Sequence, residues 1–409
     1  MNLLSYYNEF IGRSRDPIYR NSIYIILNSI SSAGLGFIFW AFAARLFSAD
    51  EVGVATVLIS VITLLVQLSR FGLDQSMIRY IKEYSTGNIF FTSLFISTTF
   101  AILFGITFIA GIHIWSPELT IVREYPALFL GILTLYSVFS ITATMYLALR
   151  DGKNYLFQSL IVGTRFFFLL PSVTFGAIGI ILSYGVSLFL GLIYSGLNFM
   201  KWKIKYKEID VLYLKTSLAF SGASYLGQLL INLPGLILPI IIINLLGAES
   251  SALFYMSYTI ASILFMIPTA VSTSLFVEGS HGEPIPKNIK SAISLIMLLL
   301  VPGILILSAF RSTILGFFGE AYTAAISLYQ LLLISSIFIS VVHIYIALQK
   351  IRKNNRKILY LSISLFTLLA ILSVTFIQMY GLIGVGYAWI VGYAVCSLPL
   401  LKSIKQELV

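Results

Sequence analysis

The sequence has little charge. Asp, Glu, Lys and Arg make up only 10% of its 409 residues, whereas 58% are hydrophobic. Soluble domains carry about 25% charged residues, so this composition excludes a soluble globular domain. Apolar stretches of about 20 residues, long enough to cross the hydrocarbon core of a bilayer, recur from one end of the chain to the other. The sequence therefore predicts an all-α polytopic membrane protein.

Cysteine is nearly absent as well. The single cysteine, Cys396, lies in an apolar run, which excludes an internal disulfide and a site built from several cysteines. The N-terminal segment is polar and basic and lacks the short apolar core of a signal peptide, so we expect the first span to be retained. The chain also lacks a phosphate-cradling loop followed by Lys-Ser/Thr. We predict no cofactor and no metal site.

The excess charge is basic, with a net charge of +10. The basic residues occupy short loops and have no aromatic-flanked surface on which a nucleic acid could lie, so nucleic acid is not an expected partner. The basic loops 201–207 and 350–357 are expected to set topology and contact anionic membrane lipids. Specific capture of a pyrophosphate from the cytoplasm is the alternative role for these two loops.

The apolar runs predict about twelve transmembrane helices. Span 2 is longer than a bilayer requires and is expected to continue into the cytoplasm as one helix. The predicted spans are 22–47, 52–83, 88–113, 125–149, 155–176, 179–199, 215–245, 250–278, 288–310, 322–349, 357–379 and 381–401.

The distribution of Lys and Arg tests this topology, because short cytoplasmic loops hold the excess of positive charge. With both termini cytoplasmic, 22 of the 26 basic residues lie in inner segments. The outer side then holds Arg45, Arg123 and Arg311, and Arg165 lies within a span. We predict a multi-pass protein of the plasma membrane, which is the inner membrane in a two-membrane bacterium. The loops are too short for an extramembrane catalytic domain, which argues against an enzyme.

Three pairs of similar segments predict an internal repeat. They begin at Arg45 and Asn244, at Met145 and Ile344, and at Phe175 and Tyr380, with offsets of 199, 199 and 205 residues. The change of offset predicts that the second basic loop is enlarged by six residues. Two parallel six-helix repeats would place a substrate between them and expose it to each side in turn. The predicted segments are a cytoplasmic N-terminal segment (1–21), a first bundle (22–200), a basic linker (201–214), a second bundle (215–401) and a cytoplasmic tail (402–409).

The segment FWAFAARLFSADEVGVATVLISVITLLVQLSRFGLDQSMIRYI, at 39–81, resembles the multidrug/oligosaccharidyl-lipid/polysaccharide exporter superfamily. The MYLALRDGKNY turn and the closing YGLIGVGYAWIVGY are similar to it too, most of all to the polysaccharide exporters, the O-antigen type flippases. This resemblance implies two six-helix bundles in a V around a cavity, and bending of spans 1 and 7. It also implies a polyprenyl-pyrophosphate-linked oligosaccharide as substrate.

Arg165 is the main candidate for substrate binding. It lies near the middle of span 5, in LIVGTRFFFLLP, a span without an acidic residue. A charge there costs about 2.5–3.5 kcal/mol on insertion scales, so it indicates function or a specific partner. Its planar fork suits bidentate contact with a phosphate. The alternative is a structural arginine bonded to carbonyls or to a neighbouring helix.

Three further arginines are candidates. Arg45 ends span 1, where the resembling exporters also carry an arginine; the alternative is a residue that reaches the outer headgroups. Arg311 lies beyond span 9 and could be a headgroup anchor. Arg70 and Asp74 lie four residues apart and can pair on one helical face. That pair is either a stabilising bridge or part of the inner mouth for the lipid head.

Polar residues and helix breakers inside spans form the remaining candidates. His343 and Asp74 could respond to protons. In span 7, two amides could bind substrate and two prolines could bend the helix, and two glycines could give span 1 the same freedom. These residues are Gln228, Asn232, Pro234, Pro239, Gly34 and Gly36.

The function that these features favour is a flippase for lipid-linked oligosaccharides, working by alternating access for surface polysaccharide assembly. Glycosyltransferases or a polymerase of the same pathway are candidate partners. A cation-coupled drug or metabolite antiporter of the same fold is the first alternative. It usually needs an intramembrane carboxylate, whereas the acidic residues here are nearly all in loops or at span ends, with Asp74 and Glu278 the deepest. A membrane glycan polymerase or transferase is the second, although it needs polar catalytic groups facing a sizeable loop.

Overall fold

The computed structural model describes residues 17–202, 204, 206, 208–280 and 284–407. Within these ranges every regular element is a helix, and twelve helical segments are long and apolar enough to cross a membrane. The predicted all-α membrane fold with twelve spans is thereby confirmed. Most of the predicted N-terminal segment, together with Lys203, Lys205 and Lys207 of the basic linker, lies outside the described residues.

The twelve spans alternate with short connections, three of which contain the four short helices. Spans 1 to 12 are Pro17–Leu46, Ala49–Ser69, Thr86–Ala110, Pro126–Ala148, Gly152–Phe175, Ala177–Lys201, Val211–Leu246, Ala248–Ser280, Ile285–Ala309, Glu320–Ile351, Asn355–Tyr380 and Ile383–Gln406. The short helices are Leu73–Tyr80, Ile112–Trp115, Ile121–Glu124 and Arg311–Phe318.

Polar side chains fix where several spans begin. Ahead of span 2, the Ser48 backbone N–H donates to Glu51 Oε2 at 2.8 Å, and the Glu51 N–H donates to Ser48 Oγ at 3.3 Å. This reciprocal pair is a capping box. Ser85 and Asp151 accept from the backbone N–H three residues on, at 3.2 and 3.0 Å, and cap spans 3 and 5. Such caps satisfy backbone donors that a helix leaves open at its start.

Span 2 ends earlier than the sequence predicts. Its helix stops at Ser69, and Phe71 and Gly72 have φ values of 49° and 79°. A left-handed conformation interrupts a right-handed helix, so the chain turns and a separate helix begins at Leu73. The predicted continuous helix into the cytoplasm is therefore wrong. The apolar pattern alone did not show the break, because Leu73 and Met77 of the amphipathic helix that follows prolong it.

The internal repeat is visible in the backbone. Spans 2 and 8 begin at Ala49 and Ala248, which gives the predicted offset of 199. Gly176 and Gly381 precede spans 6 and 12 with φ/ψ of 56°/−138° and 63°/−146°, at the predicted offset of 205. Such angles are almost confined to glycine. Two parallel six-helix repeats account for both correspondences.

One detail of the predicted repeat is wrong. Three residues separate spans 4 and 5, and three also separate spans 10 and 11, so the second basic loop is not enlarged. Arg150 and Lys353 occupy the same place in these turns, with φ of 57° and 55°. They are 203 residues apart, compared with 199 at the starts of spans 2 and 8 and 205 at Gly176 and Gly381. The second half therefore has four more residues than the first half before this turn and two more after it. Four residues are about one helical turn. The sequence match of Met145 with Ile344 therefore paired residues that lie one turn apart on the same helical face.

The chain forms two compact units. The first contains the described residues up to Leu46, Leu65–Trp115 and Thr120–Gly222. The second contains Phe47–Leu64, Ser116–Leu119 and the described residues from Ala223 onward. The predicted domain boundaries at 200 and 215 concern the repeat and remain a prediction.

Each unit has its own close contacts. In the first, Met77, Phe90 and Tyr213 belong to one buried cluster. In the second, a Cβ on Gly53 would lie 1.8 Å from the carbonyl oxygen of Ala248, so only glycine lets span 2 approach span 8 there.

Candidate functional site

Arg165 lies where span 5 departs from α-helical geometry. An α-helix runs from Gly152 to Gly163, and a 3-10 segment, Thr164–Phe168, follows it and contains Arg165. The Thr164 hydroxyl donates to the Ile161 carbonyl at 2.6 Å, a local bond that competes with helical bonding. A 3-10 stretch inside a helix often marks a hinge or strain. The sequence located the residue but not this break.

Aromatic rings flank the Arg165 side chain. Its Cζ atom lies 4.4 Å from the centroid of the Phe39 ring in span 1 and 5.2 Å from that of Tyr184 in span 6. Phe39 is 0% and Tyr184 6% exposed. Both distances are within the range of cation–π attraction, which is stronger when the groups are desolvated. Both rings thus contribute to holding the guanidinium in place.

Gly36 provides the space for this side chain. A Cβ at that position would lie 3.6 Å from Arg165 Nη2, an ordinary van der Waals contact, so alanine would fit and only a longer side chain would press on the guanidinium. Gly34 behaves differently, because a Cβ there would meet nothing within 4 Å. The structure thus brings two predicted residues together, Gly36 and Arg165, although they were predicted for different roles.

A group of polar side chains in spans 1, 4 and 5 was missed by the sequence analysis. Gln158 is fully buried and donates through Nε2 to Thr142 Oγ1 at 2.7 Å. Asn28 is 6% exposed and is hydrogen-bonded to Tyr155. The side-chain oxygens of Asn28 and Gln158 have no hydrogen-bond partner among the described residues. Amides within the apolar runs of spans 1 and 5 were the available signal.

Together these residues give the first unit a polar interior within its membrane spans. It combines one guanidinium held by aromatic rings with two amide oxygens that can accept hydrogen bonds. Buried polar groups of this kind are normally paired, so open acceptors indicate a place for water or a polar ligand. A role for this interior in substrate binding stays a prediction.

Arg70 and Asp74 pair as the sequence predicts, but not along one helix. Arg70 Nη1 lies 3.2 Å from Asp74 Oδ2, across the turn at Phe71 and Gly72. The two side chains are 22% and 26% exposed. The carboxylate balances the charge of Arg70, and the bridge holds the short helix Leu73–Tyr80 against the end of span 2. A role for this pair in substrate binding stays a prediction.

The two other arginines lie at helix ends. Arg45 is exposed in the last turn of span 1. Arg311 is exposed at the start of the short helix after span 9, and its Nη1 donates to the Ser308 carbonyl at 3.4 Å. Arg45 belongs to the first unit and Arg311 to the second. Their exposure at span ends is also what headgroup contact requires.

Span 7 runs as one helix from Val211 to Leu246 through Pro234 and Pro239. The carbonyl of Pro239 accepts a hydrogen bond from Ser251 at 3.2 Å. Gln228 Nε2 lies 3.5 Å from Asn232 Oδ1, and both amides are exposed. The predicted hinge is thus a continuous helix in this structure, with its two amides on one face; bending stays a prediction.

His343 is half-buried in span 10. Its Nε2 lies 3.5 Å from the hydroxyl of Thr269 in span 8. This is one long contact to a neutral group, and it fits a hydrogen-bonded structural histidine as well as a proton-responsive one. Among the described residues, no group of three His, Cys, Asp or Glu side chains is placed to hold a metal ion.

Solved structures with a similar fold are transporters. The lipid II flippase MurJ in its inward closed conformation has a TM-score of 0.72 at 14% identity over 94% of this chain and 89% of MurJ. An outward-facing multidrug resistance MATE transporter of the MOP superfamily has a TM-score of 0.65 at 16% identity over 96% and 95% of the two chains. A MOP superfamily transporter from Pyrococcus furiosus, described as having a binding pocket of reverse polarity, scores 0.64 at 16% identity over 96% of both chains.

At these identities the likeness establishes the fold alone, which this chain shares with MurJ and the MATE transporters. No curated protein sequence matches the chain. The family model described as polysaccharide biosynthesis protein matches residues 18–276, more than half of the chain. Arg165, Gly36, Phe39, Asn28 and the rest of the polar interior fall within the matched region. The chain therefore belongs to the polysaccharide biosynthesis protein family.

Proposed function

We propose that this protein is a flippase that moves a polyprenyl-pyrophosphate-linked oligosaccharide from the cytoplasmic to the outer leaflet by alternating access. The observation that carries the proposal is Arg165, a cation inside the membrane spans within cation–π distance of Phe39 and Tyr184. Family membership supports a role in the assembly of surface polysaccharide.

The chemistry of the substrate matches this interior. A pyrophosphate must leave water to cross the bilayer, and an arginine in a site of low dielectric can replace part of its hydration with charge-assisted bonds. Arginine is held better than lysine between aromatic rings, because its planar group stacks on them and still presents donors along its edge. The rings thus preorient the guanidinium for bidentate contact with a phosphate.

Two buried amides of the same unit suit the sugar. The open side-chain oxygens of Asn28 and Gln158 accept hydrogen bonds, and sugar hydroxyls donate them. Aromatic rings also pack against the apolar faces of sugar rings. The lipid tail needs none of these groups and can stay in the surrounding bilayer while the head crosses.

The alternative of a cation-coupled multidrug antiporter keeps one supporting observation, since MATE transporters share the fold. The polarity of the first unit favours the flippase. Its polar interior is centred on an arginine, which repels a cationic drug and attracts an anionic head. A glycan polymerase or transferase has weaker support, because the related folds are those of transporters.

The other proposed features follow from this function. We place the protein in the plasma membrane, with both termini cytoplasmic, and expect glycosyltransferases or a polymerase of the same pathway to act beside it. Arg70 with Asp74 would meet the lipid head at the inner mouth, and Arg45 or Arg311 would meet it near the outer surface. Spans 1 and 7 would bend, with Gly34, Gly36, Pro234 and Pro239 as the points of flexibility.

Reconstitution tests the proposal. Purified protein in liposomes should move a fluorescent polyprenyl-pyrophosphate oligosaccharide between leaflets, measured by loss of accessibility to an external glycosidase. Arg165→Ala should slow this movement at least about tenfold, because it removes hydrogen bonds to a charged group. Arg123→Ala, in an outer connection, is the matched control and should be silent. Equal movement in protein-free liposomes would refute the flippase, and uptake of a cationic dye driven by a Na⁺ or proton gradient would favour the antiporter.

A further inference from the structure

An apolar groove lies in the second unit, away from the polar interior. It has a volume of about 140 Å³ and is lined by spans 9, 10 and 12. Nine of its ten lining residues are aliphatic or methionine. The tenth, Ser340, donates its hydroxyl to the Ser336 carbonyl at 2.8 Å. Because the lining offers no open polar group, the groove favours a hydrocarbon over water.

The groove lies toward one end of the three spans. At 1.5 Å per residue, Ile293 and Leu300 lie about 12 and 22 Å from the first residue of span 9. By the same rise, Ile344 and Ile337 lie about 10 and 21 Å from the last residue of span 10. Leu401 and Ile404 are in the last turns of span 12. The predicted topology puts these ends in the cytoplasm, so the groove has the depth of acyl chains of the inner leaflet.

The open side of the groove continues into a strongly apolar surface. Met297, Ile337 and Leu401 are 47%, 36% and 46% exposed at its edge, whereas Leu300 at its base is fully buried. Span 9 has the highest mean hydropathy of the twelve candidate spans, 2.6, and only 17% of its most apolar 18-residue stretch is buried. Such a surface within a membrane span faces lipid chains.

Lysines lie at the cytoplasmic end of the same faces. Lys290 precedes Ile293 by three residues and Met297 by seven, a spacing that puts all three on one face of span 9. Lys405 follows Leu401 by four residues on span 12. Both lysines are exposed. Glu407, the acidic residue nearest to Lys405 in sequence, forms an ion pair with Arg352.

We propose that this groove is a binding site for an anionic membrane phospholipid of the cytoplasmic leaflet. One acyl chain lies in the groove between spans 9, 10 and 12, and the phosphate group contacts Lys290 and Lys405. The aliphatic lining gives affinity for the chain, and the two lysines give preference for a negative headgroup. The site is distinct from the polar interior around Arg165, and it does not depend on which cargo the protein carries.

Native mass spectrometry of the full chain tests the site. The protein is released from detergent with equimolar dioleoyl phosphatidylglycerol and dioleoyl phosphatidylcholine, which share their chains and differ in charge. Wild type should retain phosphatidylglycerol preferentially. Lys290→Gln and Lys405→Gln should each lower that preference about fivefold. Lys82→Gln with Lys153→Gln, which are exposed basic residues outside the groove and outside both basic loops, should leave the preference unchanged.

A second pair of variants tests whether an acyl chain lies in the groove. Ile293→Phe narrows the groove and should reduce retention of both lipids, whereas Leu298→Phe, 67% exposed on the same span outside the groove, should not. Equal retention of the two lipids by wild type, or equal loss in both phenylalanine variants, would overturn the site. Displacement of phosphatidylglycerol by an equimolar polyprenyl phosphate would also overturn it, because the groove would then take the carrier lipid.

Discussion

Asn88 Nδ2 donates a hydrogen bond to Asp210 Oδ2 at 2.9 Å and joins the first turn of span 3 to the residue that caps span 7. The other carboxylate oxygen of Asp210 accepts from the Tyr213 backbone N–H at 2.9 Å, and the Asp210 N–H donates to the Thr92 hydroxyl at 2.9 Å. The start of span 7 is therefore fastened within the first unit, although the same helix continues into the second.

The Asp210 contacts predict a pH-dependent stability. The backbone N–H of Tyr213, and then the Asn88 side chain, hold the pKa of Asp210 below its ordinary value of 3.8. A lowered folded pKa stabilises the protein above the unfolded value, and this contribution is lost as the pH falls through the folded pKa. The melting temperature should therefore fall below about pH 4 more steeply in wild type than in Asp210→Asn, which keeps a capping side chain but cannot titrate.

Asn88→Ala should lower the stability at neutral pH by about 0.5–1.5 kcal/mol, because it removes one hydrogen bond to a charged, partly exposed group. Thermal unfolding of the purified protein gives this value. If the Asp210→Asn change has the same effect in the Asn88→Ala background as in wild type, the two side chains do not interact.

Gly381 is predicted to tolerate no side chain, although there is room for one. A Cβ there would meet nothing within 4 Å, but φ is +63° and ψ is −146°. Gly381→Ala should therefore cost about 1–3 kcal/mol from the backbone alone. Gly196→Ala is the control, since it also meets nothing within 4 Å but lies inside span 6. It should be neutral or slightly stabilising, and an equal loss of melting temperature in both variants would contradict the backbone explanation.

Gly36 and Gly34 provide a matched pair on span 1. Gly36→Leu should displace the Arg165 guanidinium, which lies 3.6 Å from the Cβ position, and reduce transport nearly as much as Arg165→Ala. Gly34→Leu adds the same side chain where nothing lies within 4 Å, so it affects only the backbone freedom of span 1 and should reduce transport less than Gly36→Leu does. Both are measured in the liposome assay at equal protein density. If Gly34→Leu reduced transport more than Gly36→Leu, transport would depend on the flexibility of span 1 and not on the space beside Arg165.

The ring contacts of Arg165 predict a graded effect. Phe39→Leu keeps a buried apolar side chain but removes the π face, and should weaken binding of the anionic head about three- to thirtyfold, the range of a cation–π contact. Tyr184→Phe keeps the ring and should change binding little. Competition by a soluble pyrophosphate analogue measures both. An equal loss in the two variants would contradict the cation–π explanation, because Tyr184→Phe keeps its ring.

The sequence predicted the twelve-helix architecture because lipid offers no hydrogen-bond partners. Each span must therefore form its backbone hydrogen bonds within its own helix, and it appears in the sequence as an apolar run of defined length. Sequence analysis also located the repeat, since Gly176 and Gly381 need a conformation that only glycine adopts readily. The turn after span 10 shows the limit of such matching. A segment shifted by four residues keeps the same helical face. Sequence similarity alone therefore aligned the turn at Arg150 four residues away from its structural equivalent, Lys353.

The sequence by itself determined that the chain crosses a membrane twelve times, that its halves repeat and that Arg165 lies within a span, because each of these depends on local polarity. Only the tertiary structure decided what surrounds Arg165. Phe39, Gly36 and Tyr184 come from spans 1 and 6, and nothing in their spacing relates them to span 5. Contacts between distant segments depend on how helices pack, and many packings satisfy the same apolar pattern.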